Sequence, residues 1–184
     1  MTDLGALFLH ETTARLRSVK ALGEGALQQL SDDDLHAVPG AESNSAAVLV
    51  QHLHGNMRSR WARFPDEDGE SGQRRRDAEF EDAGLARAEL LALWEAGWQI
   101  FFTALARTAP EDLARTITIR GEAHTVLAAI QRQVAHYSGH VYQLVYLAKL
   151  LRGGQWQTLS IPRGGSQAYN EAMGLPAADP PGPA

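Results

Sequence analysis

Four long stretches of the chain place apolar residues at the i, i+3, i+4, i+7 spacing of a helix. The first covers Leu4 to Leu30, with Leu16, Val19, Leu22, Ala26 and Leu27 on one stripe. The second runs from Ala46 to about Arg63, the third from about Leu85 to Arg107, and the fourth from about Thr125 to Leu151. Amphipathic segments of this length bury their stripes most readily against one another. The expected fold is therefore all-α, an antiparallel four-helix bundle. A long polar connection between the second and third segments leaves room for a crossover, so up-down-down-up order is as acceptable as simple alternation.

The breaks between these segments have local causes. Gly23 and Gly25 weaken the end of the first helix. Ser31 caps a short helical turn, Val38-Pro39-Gly40 interrupts the chain, and Asn44 or Ser45 caps the second helix. Phe64 to Asp77 is the most polar stretch, acidic from Asp66 to Glu70 and basic at Arg74, Arg75 and Arg76. It is expected to be a solvated loop. The alternation in Thr116-Ile117-Thr118-Ile119, with Gly121 following, predicts a short extended arm or hairpin limb before the last helix. Trp156, Leu159 and Ile161 give the C-terminal tail enough apolar surface to dock, with Pro162 to Ser166 as a docking turn. Residues 1–170 thus form a single domain, and 171–184, rich in Pro, Ala and Gly, are expected to be disordered.

Composition narrows the chemistry. Among 184 residues there is no cysteine, which removes disulfides, thiolate metal sites and a cysteine nucleophile. A reaction involving sulfur would need a thiol brought by a cosubstrate. The net charge of −5 is spread over intermixed acids and bases, so nucleic acid is not an expected partner. No apolar run approaches the ~18 residues of a membrane span, and the first residues lack a basic region and cleavage site. A cytoplasmic location is the expectation.

The fourth segment contains His136 and His140, four residues apart. On a helix that spacing puts both imidazoles on one face, one turn apart, together with Gln133, Tyr137, Leu144 and Leu147. An inward pair of this kind can chelate one metal ion, and a third ligand must come from another helix. The second helix offers His52 and His54, which point in different directions. His52 shares its stripe with Leu49, Leu53, Asn56, Met57 and Arg60, so it is the preferred third ligand. His10, His36 and His124 lack a comparable constellation. Asn56 and Arg60 are polar on an otherwise inward face and each needs a partner. Either they orient a substrate, Arg60 gripping a carboxylate, or Arg60 forms a buried pair with an acid such as Glu79 or Glu122. Arg120 and Glu122 are further candidates for a pocket mouth. The aromatic stripe of Trp94, Trp98, Phe101 and Phe102 reads as core.

The segments SAAVLVQHLHGNMRSRW and QVAHYSGHVYQLVYLAKLL resemble the DinB/YfiT-like superfamily of metal-binding four-helix bundles. There, a histidine of helix 2 and an H-x-x-x-H pair of helix 4 form a metal triad. Carried over residue by residue, these are His52, His136 and His140. HLHGNMRSRW, the DGE…RRRDAEFE loop, the IRGE-x-HT arm and the WQTLSIPRGGS tail are similar to an uncharacterised bacterial branch of that superfamily.

The resemblance implies one divalent ion (zinc, nickel, iron or manganese) and a small-molecule substrate. Characterised relatives include S-transferases that use a low-molecular-weight thiol, maleylpyruvate isomerases and hydrolase-like members; others respond to DNA damage or stress. The expected function is therefore a metal-dependent transferase or hydrolase. The alternative is a non-catalytic, metal-stabilised helical stress or binding protein. A homodimer is compatible with either.

Overall fold

The computed structural model describes residues 3–66 and 74–176. It is mostly helical: α1 (Leu4–Gln29), α2 (Asp32–His36), α3 (Ala46–Trp61), α4 (Arg87–Arg107), α5 (Val126–Arg152) and α6 (Ser166–Ala172). Among the described residues one hairpin, β1 (Thr116–Ile119) and β2 (Glu122–Thr125), precedes α5. A 3₁₀ turn at Asp77–Phe80 lies between α3 and α4.

Helix starts are set by side chains that accept from otherwise unpaired amides. Asp3 accepts from Gly5 and Ala6, Ser45 from Val48, and Thr125 from Ala128. Ser31 and Asp34 form a reciprocal capping box at α2. At the other end of α5, Gly153 takes φ 51°, which ends the helix without the strain a side chain would meet there.

The four long helices pack so that α3 contacts α4 and α5, while α1 contacts α5 and α4. Their directions follow from particular contacts. Arg87, at the start of α4, donates to the Leu27 and Leu30 carbonyls at the end of α1, so these two helices run in opposite senses. Arg152, at the end of α5, reaches Asp34 just beyond α1, so α1 and α5 run the same way. His54 lies over Gly97 while Trp61 packs edge-on to Phe101, so α3 runs parallel to α4.

The core contains Leu16, Leu27, Leu53, Met57, Trp98, Phe101, Tyr137 and Leu144, all essentially excluded from solvent. Trp94, Trp98 and Phe101 of the α4 stripe are buried as the spacing predicts, each contributing about 1.5–3 kcal/mol, and Phe102 packs against them half-buried. Gly23 and Gly25 prove to be clearances rather than weak points. A Cβ on Gly23 would run into the Trp94 ring, and one on Gly25 would stand 2.7 Å from a methyl of Leu159.

The arm is one limb of a hairpin, the second of the two readings its alternation allowed. β1 pairs antiparallel with β2, Thr116 opposite Thr125 and Ile119 opposite Glu122. Arg120 and Gly121 form the two-residue turn with φ 53° and 78°, the left-handed pair that matches strand twist. The tail docks through Trp156 and Leu159, but Ile161 stays 42% exposed. Past the docking turn of Pro162 to Ser166 the chain forms α6, a helix that was not expected, and α6 buries no side chain. The expectations for residues 67–73 of the loop and for disorder at 177–184 lie outside the described residues. Among the described residues no helix is long and apolar enough to cross a membrane.

Candidate metal centre

His52 lies on α3, which meets α5 with its sense reversed. That crossing sets His52 against His136 and His140, one α5 turn apart. The three imidazoles converge: His52 Nε2 is 3.3 Å from His136 Nε2, which is 3.1 Å from His140 Nε2. Potential ligand atoms of all three lie within 4.8 Å of one another. His52 is 3% exposed; the other two are half-buried. His54 packs against α4 instead, and burial followed by the charge of Arg58 lowers its pKa.

The opposite nitrogen of each ring has its own oxygen partner. His52 Nδ1 is 3.1 Å from Glu79 Oε2, His136 Nδ1 is 3.3 Å from Gln133 Oε1, and His140 Nδ1 is 2.9 Å from Gln143 Oε1. Burial acts to raise the Glu79 pKa, yet hydrogen bonds from Arg74 and His52 hold it at about 2. An ionised carboxylate only accepts, so Nδ1 of His52 carries the ring proton. The glutamine carbonyls ask the same of His136 and His140. Three Nε2 lone pairs are thereby left facing one another.

A second proton on one ring would relieve the repulsion, but burial opposes it. His136 is pushed down to about 3, first by burial and then by His140 and His52. Burial also lowers His140. The arrangement instead suits a cation. Imidazole nitrogens bound at ~2.0–2.1 Å lie roughly 3.3–3.4 Å apart in a tetrahedron and about 2.8–3.0 Å apart on an octahedral edge. The two observed separations fall between these values. The three histidines can therefore hold one metal ion, with oxygen acceptors on their outer nitrogens of the kind that fix metal-bound imidazoles.

Beneath the triad is a closed polar network. Trp61 Nε1 donates to the Tyr137 hydroxyl at 2.8 Å, and that hydroxyl donates to Asn56 Oδ1 at 3.0 Å. Burial pushes the Tyr137 phenol well above its ordinary pKa, so it stays neutral. Asn56 is thus tied to Tyr137, one turn below His52. Arg60 is buried two turns below and lines a small cavity with Phe64, Ile117 and Ile119.

Of the residues singled out in the sequence, the structure brings together His52, His136 and His140, with Asn56 adjacent. Arg120 and Glu122 are on the hairpin, separated from His136 by the first ten residues of α5, about 15 Å of helix. Glu122 is exposed and lies 3.7 Å from His124. Glu79 pairs with Arg74 and His52, the charge partner that had been considered for Arg60. The supporting role of Glu79 had no signal in the helical pattern. Gln133 and Gln143 did have one, each standing three residues from a histidine it supports.

No curated protein and no solved structure matches the chain. The profile of a family described as "Protein of unknown function (DUF1572)" matches residues 3–165, nearly the whole of the described structure, and the chain belongs to that family.

Proposed function

We propose that this chain is a divalent-metal-dependent enzyme of the DinB-like superfamily, a four-helix bundle that carries out transfer or hydrolysis on a small molecule. The observation that carries the reading is the triad: three Nε2 atoms converge while every Nδ1 is engaged by an oxygen. Four long helices in two opposed pairs fit the bundle assignment. Zinc, nickel and iron suit imidazole donors, and manganese, which favours oxygen ligands, is the weakest match of the four candidate ions.

When bound, such an ion acts as a Lewis acid and lowers the pKa of the group that coordinates it. His52, His136 and His140 hold it; Glu79, Gln133 and Gln143 keep the rings turned toward it. The ligating group among the described residues comprises three histidines, and the Glu79 carboxylate is already engaged by Arg74 and His52. This supports a site with a coordination position for substrate, as catalytic sites have, over a closed structural one. A water or the thiol of a small cosubstrate is the nucleophile in this reading. Asn56 and Arg60, below the triad on α3, are the side chains proposed to orient the substrate.

Elemental analysis of the purified protein tests the reading. One equivalent of a divalent ion is expected in the wild type and none in His136→Ala, with circular dichroism confirming that the variant is folded. Stoichiometric metal retained by His136→Ala would refute the assignment. A thiol-dependent substrate screen on the metal-loaded protein then separates transferase from hydrolase.

A further inference from the structure

Gly55 stands in the interior of α3, flanked by the residues that build the site. A glycine there weakens a helix relative to alanine, so its presence calls for a local reason. The reason is visible in what a Cβ would meet. It would stand 2.5 Å from Glu79 Oε1 and 2.6 Å from the carboxyl carbon. Both are closer than real Cβ contacts, so the carboxylate would have to move.

We propose that Gly55 and Glu79 are positioning residues for the metal centre: the glycine opens a seat on α3 in which the Glu79 carboxylate fixes the coordinating face of His52. The inference rests on the metal reading above. Glu79 Oε2 takes the Nδ1 hydrogen of His52 at 3.1 Å. From the other side Arg74 grips the same carboxylate, Nε to Oε1 and Nη2 to Oε2, each at 2.8 Å. The carboxylate is therefore held by a planar fork and seated against bare backbone. Phe80, the next residue, lies over the His52 ring with centroids 4.5 Å apart. The 3₁₀ turn at Asp77–Phe80 thus settles on His52 through a hydrogen bond and a ring contact together. A methyl at position 55 lifts the carboxylate off this seat and frees His52 to rotate. No part of this changes a ligand; it changes how well one ligand is aimed. Partners of this kind govern metal affinity by about 10–100-fold.

The test is a double-mutant cycle on the full chain: wild type, Gly55→Ala, Glu79→Ala and the double variant. Zinc affinity is measured by competition with a chromophoric chelator, and thermal unfolding is followed in EDTA. Gly55→Ala and Glu79→Ala are each expected to weaken zinc binding by about 10–100-fold. The double variant is expected to bind no worse than Glu79→Ala alone, because the methyl has nothing left to displace. In the Glu79→Ala background the added methyl is expected to raise the metal-free melting temperature, since alanine is the better helix former. A merely structural glycine would instead lower melting in both backgrounds and leave zinc affinity alone. Equal zinc affinity in Gly55→Ala and wild type, or full addition of the two losses, overturns the inference. A wild type that binds neither zinc nor nickel, iron or manganese overturns the metal reading and this inference with it, so the two failures are distinct.

Discussion

Replacing Tyr137 by phenylalanine removes one oxygen from the centre of the molecule, and its cost follows from two contacts. That oxygen accepts from Trp61 Nε1 at 2.8 Å and donates to Asn56 Oδ1 at 3.0 Å. Tyr137 has no exposed surface, Trp61 is 3% exposed and Asn56 8%. Loss of the hydroxyl strands one buried donor and one nearly buried acceptor, each worth about 1–3 kcal/mol. Asn56 recovers part of its share from water, so the total is about 2–4 kcal/mol. In a protein of this size that lowers the melting temperature by roughly 5–15 °C. Urea unfolding in EDTA, followed by circular dichroism, gives the value without a metal contribution. Tyr142→Phe, at a residue 56% exposed, is the control and is expected to stay within about 0.5 kcal/mol of wild type. Adding Asn56→Leu to Tyr137→Phe is expected to recover stability, because it removes the stranded acceptor. A Tyr137→Phe protein as stable as the control would refute the network as a stabilising unit.

Metal-free stability is expected to fall as pH drops from ~6.5 toward 3. His136 protonates at about 3 when folded but near its ordinary 6.5 when unfolded, so the unfolded chain binds more protons throughout that window. Below pH 4.5 the Glu79 carboxyl, held at about 2, adds a loss of the same sign. Urea midpoints in EDTA from pH 8 to pH 4 check this, and a midpoint that rises toward acid contradicts it. Gly23→Ala is expected to cost about 1–3 kcal/mol despite better helix propensity, since the new methyl meets the Trp94 ring. Gly139→Ala, with open space around its Cβ, is expected to gain roughly 0.5–1 kcal/mol, and equal melting shifts of one sign in the two variants would contradict the steric account.

What the sequence disclosed was whatever depends on near neighbours. Ser31 and Ser45 signal their helix starts because a cap acts over three residues. His52 could be chosen over His54 because the helical period alone decides which of them shares the face of Leu49 and Asn56. The aromatic stripe of α4 announced a core for the same reason. Glu79 was hidden because it reaches His52 from a 3₁₀ turn 27 residues away, and no periodicity links the two. The glycines misled in an instructive way. Propensity reads Gly23 and Gly25 as loss of helix, whereas packing uses them as room for Trp94 and Leu159. Thr116–Ile119 read as an arm or a hairpin limb, but the partner strand β2 left no pattern of its own, because Glu122-Ala123-His124-Thr125 is largely exposed and needs no apolar alternation to pair with β1.

His52 and His136 are separated by 84 residues of chain, whereas His136 and His140 are four apart. The triad therefore contains two very different loops. The short one closes as soon as α5 forms a turn, giving a weak two-point chelate that needs no tertiary structure. The long one closes only when α3 has docked on α5, at an entropic cost that an unfolded chain would bear in full. Tight uptake of an ion by the triad would consequently report completed folding. An ion bound by all three rings links the middle of the chain to its last long helix, and to reach its second loop it must select the native arrangement of both.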